Sequence, residues 1–157
     1  QIVLVRDGVA YGGAPDNSWQ LHKAIYDNKQ YVNGIFSGCP SSIMAYGISN
    51  TPIDSRTLPE SYIMMRDIER LSTLSDINDI DGVVATFSPA THVAIIENSC
   101  VIATGETITK AFDRFEVSEI TARNYLLANV LGTPTPISKD EIEKIDKYFA
   151  LPPKEIK

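Results

Sequence analysis

The sequence predicts a layered α/β or α+β domain in which helices pack on a sheet. Short β-rich segments alternate with amphipathic helical segments, in the order strands, helix, strand, helix, hairpin and long helix. The chain has 157 residues, enough to bury a core without metal or disulfide support. We therefore expect one domain over residues 1–157.

The first half contains short elements separated by clear turn signals. Asp7-Gly8 predicts a hairpin turn between strands at 2–5 and 9–11, and a helix is expected to run from an N-cap at Asn17 or Ser18 to about Asn28. A buried strand is predicted at 31–36, followed after Pro40 by a short helix. Residues 49–61 contain turn formers and two prolines, which predicts a long ordered loop.

The second half contains the strongest helical signals. A helix is predicted at 76–87, and strands at 93–97 and 101–103 are expected to form a hairpin. The clearest helix spans about 107–131, with Thr107 as its cap and Gly132 at its end. Ser138 and Glu141 predict a capping box for a last helix. The side chains expected to face inward from it are Ile142, Ile145, Tyr148 and Phe149.

Charge and composition exclude several classes of protein. Fourteen Lys and Arg against 20 Asp and Glu give a net charge of −6, which argues against a nucleic-acid or anionic-membrane surface. No apolar run reaches the length of a membrane span, and residues 1–20 carry none of the features of a signal peptide. Two cysteines are too few for a disulfide framework, so we expect a reducing, cytoplasmic location.

Side chains able to bind metal or act as nucleophiles are few. The chain has two histidines, His22 and His92, and two cysteines, Cys39 and Cys100, without the local spacing of a metal motif. Isolated cysteines are most often small buried hydrophobic residues, and His22 lies on an apolar helical stripe typical of a core histidine. His92 is expected at the entrance of a strand.

A series of segments between residues 2 and 150 nevertheless has a familiar order and spacing. The segments are Ser18–His22, Ala24–Tyr26, Tyr31–Phe36, Pro40, Leu58–Tyr62, Val93–Asn98, Val101–Gly105 and Lys110–Glu119, the last continuing to Ala128. Together they resemble the class II aldolase and adducin family, in particular the fuculose- and rhamnulose-phosphate aldolases. The resemblance implies an α/β/α sandwich with a mostly antiparallel sheet. It also implies a homo-oligomer, commonly a tetramer with sites between subunits.

The resemblance also implies where the family's chemistry would lie, and those positions are changed here. Active members carry His-x-His-Pro where this chain has Ser37-Gly-Cys39-Pro, and a third zinc-binding histidine where it has Ser99. The family's acid and base residue corresponds to Ser18. Two hydroxyl residues that hold the substrate phosphate correspond to Asp16 and Asn17, of which Asp16 would repel a phosphate. The chain also begins at a strand that follows the family's glycine-rich phosphate loops, so we expect it to be short at its N-terminus.

These changes support more than one functional hypothesis. In the first, the chain has lost zinc-dependent cleavage of sugar phosphates and is a non-catalytic assembly, regulatory or ligand-binding module with no metal. In the alternative, it is a metal-dependent aldehyde-lyase or epimerase on a sugar or sugar phosphate. Zinc would then be held by a rebuilt site of Cys39, Cys100 and His22, or by ligands from another aldolase-like chain.

Polar residues around the long loop suggest a third hypothesis. Here the chain binds a sugar or sugar phosphate in a retained cleft without reaction, and the loop supplies polar contacts. The residues that would do so are Arg56, Glu60, Tyr62 and Arg66.

Overall fold

The computed structural model describes residues 2–72 and 79–153. The strands are β1 (Leu4–Arg6), β2 (Val9–Tyr11), β3 (Gly34–Gly38), β4 (Ile68–Leu71), β5 (Val93–Ile96) and β6 (Cys100–Gly105). The helices are α1 (Trp19–Asn28), α2 (Ser41–Gly47), α3 (Pro59–Met65), α4 (Ile80–Thr86), α5 (Ile108–Leu131) and α6 (Lys139–Tyr148), with a 3₁₀ turn at Ser55–Thr57.

The main sheet has four strands in the order β3-β6-β5-β4. β6 runs antiparallel to both β3 and β5, as the predicted hairpin requires, whereas β4 runs parallel to β5. The sheet is therefore mixed, with two of its three pairings antiparallel. β1 and β2 form a separate two-stranded hairpin, in which Asp7 and Gly8 take up the positive φ angles of 51° and 77° that a tight hairpin turn needs.

Helices cover both faces of the main sheet, as predicted for a layered domain. Alternate residues of β5 point to opposite faces, so that Ala94 and Ile96 pack with α1 and α4, and Val93 and Ile95 pack with α2, α3 and α5. The first cluster includes Ile25 and Val83. The two cores together make the three-layer α/β/α arrangement.

The first turn of α5 lies unusually close to the sheet. Gly34 of β3 pairs directly with Gly105 of β6. A Cβ atom on Gly34 would stand 2.5 Å from Cα of Ile108, and one on Gly105 would stand 2.5 Å from the amide nitrogen of Ala111. Only glycine allows this approach, because side chains at either position would push the helix off the sheet.

Three helix starts were predicted from capping residues, and two of those caps are confirmed. The hydroxyl of Thr107 accepts a hydrogen bond from the backbone N–H of Lys110, and the hydroxyl of Ser138 accepts one from that of Glu141. The cap expected from Ser18 or Asn17 is wrong for Ser18. Its side chain makes no capping bond, and its own backbone N–H donates to the carboxylate of Asp16.

Other boundaries differ from the predictions for identifiable reasons. The strand expected at 31–36 lies at Gly34–Gly38, because its register is set by pairing with β6. Residues 49–61 contain a 3₁₀ turn and the start of α3 rather than loop alone, because Pro59 occupies the first turn of α3. Tyr148 was expected to face inward but is 84% exposed. The helix predicted at 76–87 is found at Ile80–Thr86, and positions 76–78 lie outside the described residues.

Glu119 interrupts the apolar stripe of α5 because it caps a different helix. Its carboxylate accepts hydrogen bonds from the backbone N–H groups of Ser42 and Ile43, at 2.9–3.0 Å. These are orphan donors at the start of α2, and a negative charge there is favoured by the helix dipole. The contact holds α2 against α5. α2 directly follows β3, which contains Ser37 near its end.

Candidate functional site

A cleft of about 470 Å³ opens at the end of the sheet where β3 finishes and β6 begins. Its lining combines hydroxyl, amide, imidazole and thiol groups with aliphatic side chains. The lining residues are Asn17, Ser18, Gln20, Leu21, His22, Ser37, Ile80, Ile96, Ser99, Cys100 and Ile102. Six of the sequence-predicted site residues therefore line one cavity: Asn17, Ser18, His22, Ser37, Ser99 and Cys100.

His22 and Ser37 meet on the floor of this cleft. α1 directs the imidazole toward β3, and Nε2 of His22 lies 3.4 Å from Oγ of Ser37, with the tautomer deciding which atom donates. Burial lowers the pKa of His22 below its ordinary value, and the carboxylate of Asp16 opposes this shift without cancelling it. His22 is therefore a neutral imidazole at neutral pH.

The turn before α1 carries a negative charge at the rim of the site. Oδ1 of Asp16 accepts a hydrogen bond of 2.9 Å from the backbone N–H of Ser18. This bond is the main reason that the pKa of Asp16 falls below its ordinary value, and the nearby imidazole of His22 acts in the same direction. Asp16 is thus ionised and exposed at the position where the resemblance would place a phosphate-holding hydroxyl.

Of the two cysteines, Cys100 lines the cleft, and Cys39 lies outside it next to Ser99. Sγ of Cys39, which is exposed, donates to the backbone carbonyl of Ser99 at 3.0 Å. Burial raises the pKa of the Cys100 thiol, and proximity to Cys39 raises it further, while the hydroxyl of Ser99 lowers it. Cys100 is therefore a protonated thiol at neutral pH, which makes it a poor nucleophile and a poor metal ligand.

The residues at the family's ligand positions do not fit zinc. Ser37 is paired with His22, and Cys39 is paired with the carbonyl of Ser99, so the structure brings two neutral hydroxyls and one thiol to this edge of the sheet. Structural and catalytic zinc sites use imidazole, thiolate or carboxylate ligands instead. Within residues 2–72 and 79–153, no three His, Cys, Asp or Glu side chains come together as a metal site would require. The alternative set of His22, Cys39 and Cys100 stays a prediction.

Sequence reasoning missed the apolar wall of the cleft and misplaced the loop residues. Leu21 belongs to the same helix as His22, but Ile80 and Ile102 come from distant segments. Arg56 and Arg66, suggested as polar contacts in a retained cleft, line a separate cavity of about 540 Å³.

The other two loop residues also lie outside the cleft. The hydroxyl of Tyr62 donates to Asp146 on α6, at 2.9 Å. Glu60 is exposed in the first turn of α3. The structure therefore brings none of the four loop residues to the cleft.

With this geometry, the chain can be compared with known proteins. Residues 1–126 match the family model described as the class II aldolase and adducin N-terminal domain. The chain therefore belongs to the class II aldolase and adducin family, as the sequence segments predicted. No curated protein matches the sequence.

Solved structures of similar fold come from the same family. An L-fuculose 1-phosphate aldolase from Glaciozyma antarctica PI12 superposes with a TM-score of 0.71 at 21% identity, covering 90% of this chain and 57% of that one. YgbL from Escherichia coli, whose name leaves its reaction open among aldolase, epimerase and decarboxylase, gives 0.71 at 18% identity, covering 88% and 70%. An aldolase II superfamily protein from Pseudomonas syringae gives 0.68 at 15%, covering 87% and 57%. Identities this low show the fold alone, and the chain spans little more than half of the Glaciozyma and Pseudomonas proteins.

None of the described helices combines the length and the apolar character that crossing a membrane requires.

Proposed function

We propose that this chain is a class II aldolase-like domain that has lost zinc-dependent aldol cleavage of sugar phosphates and serves as a non-catalytic ligand-binding module. The observation that carries the proposal is the identity and pairing of the side chains at the sheet edge. Ser37 is engaged with His22, and Cys39 with the carbonyl of Ser99. Ser18, at the position of the family's acid and base, has a hydroxyl that does not ionise near neutral pH and so cannot replace a carboxylate in proton transfer.

The character of the cleft favours a neutral, hydroxyl-rich ligand such as an unphosphorylated sugar. Hydroxyls and amides of Ser37, Ser99 and Gln20 offer hydrogen bonds to a polyol, and Leu21 with Ile80 offers an apolar surface for its carbon skeleton. The ionised carboxylate of Asp16 at the rim disfavours a phosphate. The two free cysteines fit a reducing compartment, so the cytoplasmic location remains part of the proposal.

The loss of zinc chemistry is tested by restoring the ligands. The purified chain and a Ser37→His/Cys39→His/Ser99→His variant are loaded with zinc, dialysed and analysed for metal by elemental mass spectrometry. We expect about one zinc per chain in the triple variant and almost none in the unchanged chain, because three imidazoles replace two hydroxyls and a hydrogen-bonded thiol. Circular dichroism of both proteins controls for folding.

Activity provides the contradicting outcome. Both proteins are assayed for carbon–carbon cleavage of L-fuculose 1-phosphate with zinc present. Cleavage by the unchanged chain, abolished by a chelator, would refute the loss of function.

The ligand-binding part of the proposal is tested by thermal shift, where neutral sugars are expected to raise Tm more than their phosphate esters do. Ser37→Ala should reduce that shift, whereas Ser41→Ala, exposed at the start of α2, should not.

A second candidate function rests on the proximity of the two thiols. Cys39 and Cys100 lie close enough to influence each other electrostatically, beside His22 across the cleft. Under this alternative, a metal-dependent lyase or epimerase would recruit both thiolates, with further ligands from His22 or another aldolase-like chain.

Single substitutions test the alternative directly. Cys39→Ser and Cys100→Ser should each reduce bound metal to background if the thiols are ligands. Equal metal content in the unchanged chain and in both variants eliminates the rebuilt site. The count of reactive thiols on the same samples provides the control, since each substitution must remove one.

A further inference from the structure

A second polar cavity lies at the opposite end of the sheet from the cleft. Its volume is about 350 Å³. It is bounded by the segments that precede β4 and β5 and follow β6, and by the chain just beyond α6. The lining residues that matter here are Arg66, His92, Glu106, Arg114, Phe149 and Leu151, and none of them lines the cleft.

Two arginines of this cavity are buried, although each carries a permanent charge. Arg66 is 3% exposed and Arg114 is 9% exposed. A buried guanidinium needs several hydrogen-bond acceptors, because desolvating it is costly. The groups around Arg66 and Arg114 supply only some of the hydrogen-bond acceptors that a buried guanidinium needs.

The hydrogen bonds of the two arginines leave Nε of each without a partner. Nη1 of Arg66 donates to Asp146 at 2.8 Å. Arg114 donates from Nη1 to the carbonyl of Thr104 at 2.7 Å and from Nη2 to Glu106 at 3.2 Å. Nε of each arginine, although fully buried, has no hydrogen-bond partner in the part of the chain that the structure describes. Both carboxylate partners are partly exposed, so the cations are the inner members of these pairs.

His92 adds a third unused nitrogen. The residue is 8% exposed, and its Nδ1 makes no hydrogen bond within residues 2–72 and 79–153. Burial and the charges of Arg114 and Arg66 hold the pKa of His92 down to about 4, against opposing contributions from Glu106 and the Pro89 carbonyl. The imidazole is therefore neutral at neutral pH.

We infer that this cavity binds a small organic oxyanion, whose carboxylate or phosphate oxygens are held by the guanidinium groups of Arg66 and Arg114 and by the imidazole of His92. Guanidinium groups bind either oxyanion through paired N–H donors, which accounts for two arginines facing one cavity. Phe149 and Leu151 supply an apolar wall for the rest of the ligand. The site shares no residue with the proposed sugar cleft, so each proposal can fail without the other.

The test uses the fact that the chain has only two histidines. Side-chain ¹⁵N spectra of the full chain are recorded during separate titrations with inorganic phosphate and with butyrate, in Tris at constant ionic strength. We expect the ring nitrogens of His92 to shift and saturate while those of His22 stay fixed. Saturation with phosphate alone identifies a phosphate site, with butyrate alone a carboxylate site, and with both a general oxyanion site.

Two outcomes of the titration overturn the inference. One is the absence of a saturating shift at His92 up to about 50 mM of either anion, an affinity too weak for a built site. The other is a parallel, linear drift of His22 and His92, which is the signature of a general ionic effect.

Variants then assign the contact. His92→Phe keeps an aromatic ring but removes the nitrogen, and we expect calorimetry to show about tenfold weaker binding of whichever anion saturates. The same change at the other histidine, His22→Phe, is the matched control and should leave the affinity unchanged. Equal affinity in both variants would refute the role of His92.

A surface variant covers the case in which His92→Phe does not fold. Phe149 is half exposed at the cavity wall, so Phe149→Ala should be tolerated. It should weaken butyrate several-fold more than phosphate, because only butyrate has an apolar part to bury. If butyrate binds, equal losses for the two anions would contradict the assigned wall. If phosphate alone binds, a loss of phosphate affinity in Phe149→Ala would contradict the assigned wall, because phosphate has no apolar part to bury.

Discussion

Arg66 is held in a backbone conformation that few non-glycine residues adopt. Its φ and ψ are 54° and −94°, and it lies between the end of α3 and the start of β4. The backbone is fixed on both sides, since its N–H donates to the carbonyl of Tyr62 at 2.9 Å and its own carbonyl accepts from the hydroxyl of Ser55. The guanidinium lies 5.2 Å from the centre of the Tyr62 ring. Such strain persists only where surrounding contacts over-determine it.

His92 should make the stability of the protein depend on pH. Its folded pKa of about 4 is below its ordinary value of 6.5, so the unfolded chain binds a proton more readily. Stability from this residue is complete above the unfolded pKa and is lost as the pH falls from about 6.5 toward 4. We expect His92 to account for about 2 kcal/mol lower free energy of unfolding at pH 5 than at pH 7, measured by urea denaturation.

The matching variants separate His92 from other groups. His92→Phe should remove most of this difference between the two pH values. His22→Phe should preserve it, because His22 is less deeply buried and its imidazole faces Asp16. A full pH dependence in His92→Phe would show that another group is responsible.

At the scale of elements, the contact of α5 with the sheet depends on the paired glycines of β3 and β6. A methyl group on Gly34 would stand 2.5 Å from the backbone of Ile108, and a helix backbone cannot yield as a side chain can. We expect Gly34→Ala to lower the free energy of unfolding by at least about 2 kcal/mol in urea denaturation, because overpacking forces the helix away.

Gly38 in the same strand provides the control. A methyl group there would approach the ring edge of Phe115 at 3.1 Å, and a side chain can move by a few tenths of an ångström. Gly38→Ala should therefore cost less than about 1 kcal/mol. Similar losses for the two variants would mean that the approach of α5 is not what restricts Gly34.

At the scale of the whole molecule, the second half of α5 leaves an apolar surface uncovered. Leu127, Val130 and Leu131 are exposed along this half of the helix. Adjacent exposed apolar side chains on a helix commonly mark an interface. The family resemblance independently predicts a homo-oligomer.

We therefore expect the purified chain to self-associate at micromolar concentration in multi-angle light scattering. A Leu127→Glu/Val130→Glu variant should shift it toward the monomer, because burying two carboxylates in an apolar contact is costly. Ile108→Glu, an exposed change at the opposite end of the same helix, is the control and should leave the mass unchanged. A monomeric mass for the unchanged chain would contradict the prediction.

The sequence was most informative where structure is determined locally. Thr107 and Ser138 start helices by bonding to backbone groups a few residues away, and Asp7-Gly8 forms its turn without help from the rest of the chain. The packing of helices on a sheet followed from the alternation of segments, and the family resemblance implied helices on both faces. The register of β3 did not, because it is set by a partner strand more than sixty residues later.

The candidate site shows the same difference between what neighbouring residues determine and what distant segments determine. The resemblance placed Ser37, Cys39 and Ser99 at one site, and the alternative joined Cys39 with Cys100 and His22. Of these five residues, all except Cys39 line the cleft. The aliphatic wall from Ile80 and Ile102 was not predicted, and neither was the meeting of Arg66, His92 and Arg114, since nothing in their spacing joins them. The capping role of Glu119 was not predicted, because its partners are 76 and 77 residues away.

The order of strands also has a consequence for how fast the chain folds. β5 and β6 are neighbours in sequence and can pair early as a hairpin, at a small cost in loop closure. β3 must then find β6 across an intervening stretch that includes α2, α3, β4 and α4. Contacts of such long range slow the search for the native state. We therefore expect the β5–β6 hairpin to form early and the pairing of β3 with β6, which also completes the cleft, to be the slow step.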